Sequence, residues 1–290
     1  MPTSPDCLVC LVRQSLEAAR CASNDIAIHN QVVRNVMALI LENDVHIPPP
    51  LIGQKIHRII RETTQNPDPY IEGKRATNAA VLKMYDRLER QVAEAADPLE
   101  MAVRLAIAGN TIDYALGKPN QQQIDAAFED ARTRPINGDF SRFHRLIDQA
   151  STILYLCDNA GEIICDRLLI ELLVRSPYSK KITLAVRGKP VLNDALREDA
   201  AAAGLDRLVP VIDNGNDGLG TMLDQCTDEF LDKFQNSDLV LSKGLANYET
   251  LVENTTVWQP RRIVYLFKAK CPFISHFSGT ALGDLVVRVQ

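Results

Sequence analysis

Two rhythms of apolar residues divide the chain. Over the first half they recur three and four positions apart, which lines one face of a helix: Leu8 to Ala22, Ile28 to Asn43, Leu51 to Thr64, Arg75 to Ala95 and Pro98 to Gly109. Pro48-Pro49-Pro50 forces a break before the third of these, and the turn segment Asn66-Pro67-Asp68-Pro69-Tyr70 precedes the fourth. The loop Gly109-Asn110-Thr111-Ile112-Asp113 closes the series, and polar, helix-like sequence continues through Phe140 to Ala150. From Ser151 the pattern changes. Short apolar runs at Thr152–Leu156, Ile182–Val186, Leu208–Ile212, Asp238–Leu241 and Arg262–Leu266 alternate with helical stretches. That alternation predicts an α/β fold, a three-layer α/β/α unit with a mostly parallel sheet over residues 149–290, preceded by an all-helical N-terminal region, 1–148, packed against it.

Composition narrows the class. With 290 residues, 46% of them hydrophobic, the chain can bury a full core, and about 150 residues per domain gives two units. A net charge of −5 speaks against sequence-independent nucleic-acid binding, which needs a basic face. Met1 to Asp6 has no basic leader and runs into a helix bearing Arg13, Glu17 and Arg20, and no apolar run approaches membrane-spanning length. Seven scattered cysteines fit a reducing compartment better than a disulfide framework. The expectation is a cytoplasmic protein without nucleic-acid or membrane partners; the oligomeric state is left open.

Chemistry concentrates where the predicted strands end. Ile153 to Cys157 runs directly into Asp158-Asn159-Ala160-Gly161-Glu162, a strand, turn and helix start with oxygen ligands at the tip. The second strand is followed by Arg187-Gly188-Lys189-Pro190-Val191-Leu192-Asn193-Asp194, the fourth by Ser242-Lys243-Gly244-Leu245-Ala246-Asn247-Tyr248-Glu249, and the fifth by Lys268-Ala269-Lys270-Cys271. Hard oxygen donors such as Asp158, the Asn159 carbonyl and Asp194 suit magnesium or manganese, with cobalt or nickel as substitutes. An incomplete protein shell of this kind leaves room for a phosphate and a water, with Lys243 offsetting phosphate charge.

These segments together resemble the damage-control phosphatases, a family of metal-dependent phosphatases. Cys7-Leu8-Val9-Cys10, the Asn66 to Tyr70 segment and Gly109 to Asp113 resemble features of its prokaryotic-type branch, so the likeness spans essentially the whole chain. The resemblance implies a divalent metal held by Asp158, Asn159 and Asp194, and hydrolysis of phosphate esters of small metabolites such as sugar phosphates, damaged ones among them. It further implies that Lys243 and Lys268 lie near the phosphate, with Asn247 and Tyr248 as substrate contacts. Eukaryotic relatives carry an arginine-containing stretch before that last lysine, where this chain reads Tyr265-Leu266-Phe267-Lys268. Arg187 and Asn110 complete the set of residues expected to face the ligand.

Each feature also has a plainer reading. Asp158-Asn159 could cap the following helix, with Glu162 as a first-turn acid; Lys243, Lys189 and Arg187 could be solvated loop cations; Asp113 could belong to an Asx turn. Cys7 and Cys10 form a CxxC pair but lack the two further ligands of a structural zinc site. Cys157 and Cys271 read as small sheet-edge residues, and no histidine is assigned a role. Direct attack by Asp158 on phosphorus is an alternative to a metal-activated water, although the second Asp usual in haloacid-dehalogenase-like phosphatases is replaced by Ala160. A non-catalytic nucleotide- or metabolite-binding regulator on the same fold is the competing function, weakened by the lack of any GxGxxG or GxxxxGK[ST] sequence.

Overall fold

A computed structural model describes residues 2–42, 46–110, 121–253 and 259–290. Asn43, the end of the second predicted helix, and Thr111, Ile112 and Asp113 lie outside the described residues.

The N-terminal region supplies helices α1 (Pro5–Ala22), α2 (Ile26–Glu42), α3 (Pro49–Thr64), α4 (Ile71–Leu82), α5 (Tyr85–Ala93), α6 (Pro98–Gly109), α7 (Gln121–Thr133) and α8 (Phe140–Gln149). Their starts follow local chemistry. Ser4 caps α1 and Asp97 caps α6 with side-chain bonds to the third helical amide, and proline occupies a first-turn position of α1, α3 and α6, where its missing N–H is not needed. The helix expected from Arg75 to Ala95 is two helices, because the chain tightens at Met84, whose amide bonds Val81 O at 2.9 Å.

The α/β part runs β2 (Thr152–Leu156), α9 (Glu162–Val174), β3 (Lys181–Val186), α10 (Arg197–Ala202), β4 (Val211–Asp213), α11 (Asp228–Asn236), β5 (Leu239–Lys243), α12 (Leu245–Leu251), β6 (Ile263–Lys268), α13 (Pro272–Ser278) and β7 (Leu285–Val289). A short strand β1 (Ile136–Gly138) comes from within the region expected to be helical throughout and pairs in parallel with β7. The seven-stranded sheet has the order β1-β7-β6-β5-β2-β3-β4, parallel except between β6 and β7. Neither β1 nor β7 was expected. Both lie at one edge, where three to five residues leave little periodic signal.

Alternate residues of β2 feed two cores. Ile153, Tyr155 and Cys157 pack with α5, α6, α8 and α9 on one face, while Leu154 and Leu156 pack with α11, α12 and α13 on the other. A third, smaller core joins α1, α2 and α3. Chain order along the sheet reverses at β2: β3 and β4 lie to one side of it, β5 and β6 to the other. The crevice beyond the carboxyl ends of β2 and β5 is therefore the switch point, where open α/β sheets bind ligands. No helix among the described residues is long and apolar enough to cross a membrane.

Candidate active site

The turn after β2 brings Asp158 and Asn159 to that switch point. Asn159 forms an isolated antiparallel bridge with Asp194, and the backbone bonds Ala160 N to Asn193 O (2.9 Å) and Ala195 N to Asp158 O (2.8 Å) tie the two loops side by side. The expected trio of oxygen donors is thus assembled by main-chain pairing. All three residues are buried.

Amides bracket the carboxylates. Asn110, at the end of α6, donates its Nδ2 to Asp158 Oδ2 and to Glu162 Oε2, both at 2.6 Å, and Asn159 Nδ2 donates to the same two oxygens at 2.9 and 3.3 Å. Arg187 donates Nε to Asp194 Oδ2 at 2.7 Å. Among the described residues, Asp158 Oδ1, Asp194 Oδ1 and Asn159 Oδ1 receive no donor, so three oxygens of the expected ligand set remain uncommitted. No group of three His, Cys, Asp or Glu side chains able to hold a metal occurs among the described residues. Any such shell here needs the Asn159 carbonyl.

Electrostatics mark the same spot. Burial, then the neighbouring charges of Glu162 and Asp194, push the Asp158 carboxyl well above the usual range. Burial also raises Asp194, against the opposing pull of Arg187. Gly244, at φ +78°, borders the cluster from β5, and a Cβ there would fall 2.0 Å from Asp158 Oδ2.

Lys243 is fully enclosed rather than facing the crevice. Its Nζ donates to Glu162 Oε1 at 2.6 Å, to Asp166 Oδ1, and to Ala106 O at 2.9 Å, which uses all three of its hydrogens. Burial would lower its pKa, but Asp166 and Glu162 outweigh that and hold it above the ordinary lysine value. The role expected for it at the phosphate is therefore corrected: it anchors the helix acids behind the site.

Asn247 is likewise committed to the protein. It donates to Cys157 O (3.1 Å) and Lys243 O (2.8 Å) and accepts from Arg187 (3.1 Å) and Thr221 (2.8 Å), leaving no capacity for substrate. Tyr248, one residue on, turns into the second core, where its ring stacks on Phe267 at 4.7 Å and meets Tyr265 edge-on at 5.0 Å. Neither keeps its expected substrate contact. Lys268 pairs with Asp130 of α7 at 3.5 Å, and the C-terminal lysine whose charge acts on Asp158 is Lys270.

Asp166 was missed, although one signal was available: an acid four residues after Glu162 on an otherwise apolar helix face. Its carboxyl is raised to about 6 by burial, against the opposing pull of Lys243, and its Oδ1 also accepts the Tyr155 hydroxyl at 2.8 Å.

A family model described as the damage-control phosphatase ARMT1-like domain matches residues 3–286. An uncharacterized protein of Methanocaldococcus jannaschii is 36% identical, over 98% of this chain and 94% of its own. A damage-control phosphatase of Archaeoglobus fulgidus is 30% identical, over 100% and 99%. Among solved structures, a DUF89 family protein of Pyrococcus horikoshii superposes with a TM-score of 0.88 at 29% identity, covering 99% of this chain and 98% of that one.

Proposed function

The chain belongs to the damage-control phosphatase ARMT1-like family, and from that premise we propose that it is a divalent-metal-dependent phosphatase hydrolysing phosphate esters of small metabolites, damaged or sugar-derived ones included. One observation carries the metal. Asp158 and Asp194, buried on loops paired through their backbones, each keep a carboxylate oxygen with no donor among the described residues, and so does the Asn159 carbonyl, which leaves three hard oxygens on adjoining loops for a divalent ion.

Magnesium or manganese bound by Asp158, Asn159 and Asp194 would supply Lewis-acid polarisation of the phosphoryl group and a more acidic water. The chain's own residues do the rest. Asn110 and Asn159 fix the Asp158 and Glu162 carboxylates, Arg187 fixes Asp194, and Lys270 contributes positive charge on the substrate side. Positioning and charge supply most of the rate in phosphoryl transfer.

The test is metal-stripped protein assayed on an aryl phosphate, with Mg²⁺, Mn²⁺, Co²⁺ and Ni²⁺ returned one at a time. Restored phosphate release with at least one ion is expected. Release that is equal with and without metal, or absent under all of them, overturns the reading.

A further inference from the structure

The segment Asn66-Pro67-Asp68-Pro69-Tyr70 and the buried face of α4 play no part in the chemistry above, yet they end on both loops that carry it. Asp68 accepts the Tyr70 amide at 3.1 Å through one oxygen and pairs with Lys74 Nζ at 2.7 Å through the other. Lys74, 1% exposed, also lies 4.0 Å from Asp199. Asp199 accepts the Leu196 amide at 2.8 Å and so fixes the chain just beyond Asp194. Asn78, one helical turn after Lys74, donates to Asp199 Oδ1 at 2.7 Å and accepts the Gly161 amide at 2.6 Å. Gly161 sits at φ +79°, and Thr77 packs so closely that a Cβ there would lie 2.3 Å from its methyl.

We infer that Asn78 is a positioning residue, held by Asp199, Lys74 and Asp68, that clamps the 158–161 turn and the 193–199 loop at the separation the metal ligands need. This rests on the metal-dependent reading above. A buried amide that bonds one loop's backbone and the other loop's carboxylate fixes their spacing as an outer-shell partner does in known metal sites. Its removal leaves Gly161 N–H buried without an acceptor.

The variant Asn78→Asp keeps an acceptor for Gly161 but sets two carboxylates face to face. Adding Asp199→Asn restores the pair with donor and acceptor exchanged. In Asn78→Asp we expect amide exchange across residues 158–164 of the metal-free protein to rise about tenfold, as for loss of one buried hydrogen bond. Calorimetric Mn²⁺ affinity should fall about 10- to 100-fold. The double variant should bring both within roughly threefold of the parent, a rescue that loss of general stability would not give. Unchanged exchange in the single variant, or no recovery in the double, overturns the clamp. Should Asn78→Asp not fold, a folded double variant with parental exchange and affinity supports it, and an unfolded double variant sinks it. Parent protein that takes up no Mn²⁺ refutes the metal reading instead, and the exchange arm still decides the clamp.

Discussion

Behind Asp158, Glu162 and Asp166 stand one turn apart on α9 and share Lys243, all three sealed from solvent. In front of it, Arg187 bonds Asp194, Asp158 takes its donors from Asn110 and Asn159, and each carboxylate keeps an oxygen with no donor among the described residues. The two regions use the same residue types. Each sets two carboxylates against one cation, and they differ in how that cation is placed: Lys243 bonds both rear acids, whereas Arg187 bonds Asp194 and leaves Asp158 without a bonded cation. A cation bonded to both acids orients them, whereas a buried carboxylate crowded by neighbouring acids with no cation bonded to it is a store of unfavourable charge that a bound cation relieves.

The strongest way to break this contrast is Lys243→Met. It strands Glu162 and Asp166 without their cation, and a loss of about 3–5 kcal/mol in denaturant unfolding is expected. Parental stability would show that the rear is not held by its own charges.

Asp158→Asn and Asp194→Asn test the front, and the first carries opposite signs for activity and stability. Turnover should drop about 100-fold in both, while the metal-free melting temperature rises in Asp158→Asn and falls in Asp194→Asn, which takes the carboxylate from the buried Arg187. The sign follows from the Asp158 carboxyl being raised in the folded state. Its contribution is fully present below the unfolded carboxylate value, about 4, and is lost as pH rises through the folded one. Metal-free parent protein should therefore weaken over that range, and Asp158→Asn should flatten the profile. A lower melting temperature in Asp158→Asn would remove the idea of stored charge.

His57 on α3 separates this acid-side behaviour from a basic group's. Burial lowers its imidazole to about 4, and its Nε2 has no partner among the described residues. The unfolded chain takes up the proton near 6.5, so stability should fall by up to about 3 kcal/mol as pH drops from 6.5 towards 4. His57→Phe should abolish that slope, as read by melting curves across the range.

The smallest expected effect sharpens the choice between the C-terminal lysines. Lys270→Ala should raise KM for a phosphate ester about tenfold with little change in melting temperature, because a partly exposed charge adds little to folding. Lys268→Ala, which loses only the Asp130 pair, should leave KM near the parent's. The reverse ranking would return the phosphate contact to Lys268.

Much of the site was legible because strand ends punctuate the sequence. Asp158, Asn159, Asp194 and Arg187 are named from apolar runs breaking into polar tips and Asn110 from the loop that ends a helix, with the family resemblance, and the fold brings all five together. Lys243, Asn247 and Tyr248 came from equally plain motifs and were misassigned. A motif shows that a residue sits at a strand end but not whether it faces the crevice, the rear wall or the opposite core. Asn78 gave no chemical signal at all, since its partners Asp199 and Gly161 lie 121 and 83 residues away along the chain.

Local sequence determined which turn carries the oxygens, because Asp158-Asn159 follows a five-residue apolar run and precedes a glycine and a longer apolar stretch of helix length. Tertiary structure decided what surrounds those oxygens. Whether a lysine meets a phosphate or two helix acids depends on the packing of α6, α9 and β5, and burial makes that outcome consequential. A charge out of water must be paired by a neighbour from elsewhere in the chain or left for a ligand. The first half of the site is written in a strand and its turn; the balance of charge around it exists only once the sheet and helices have closed.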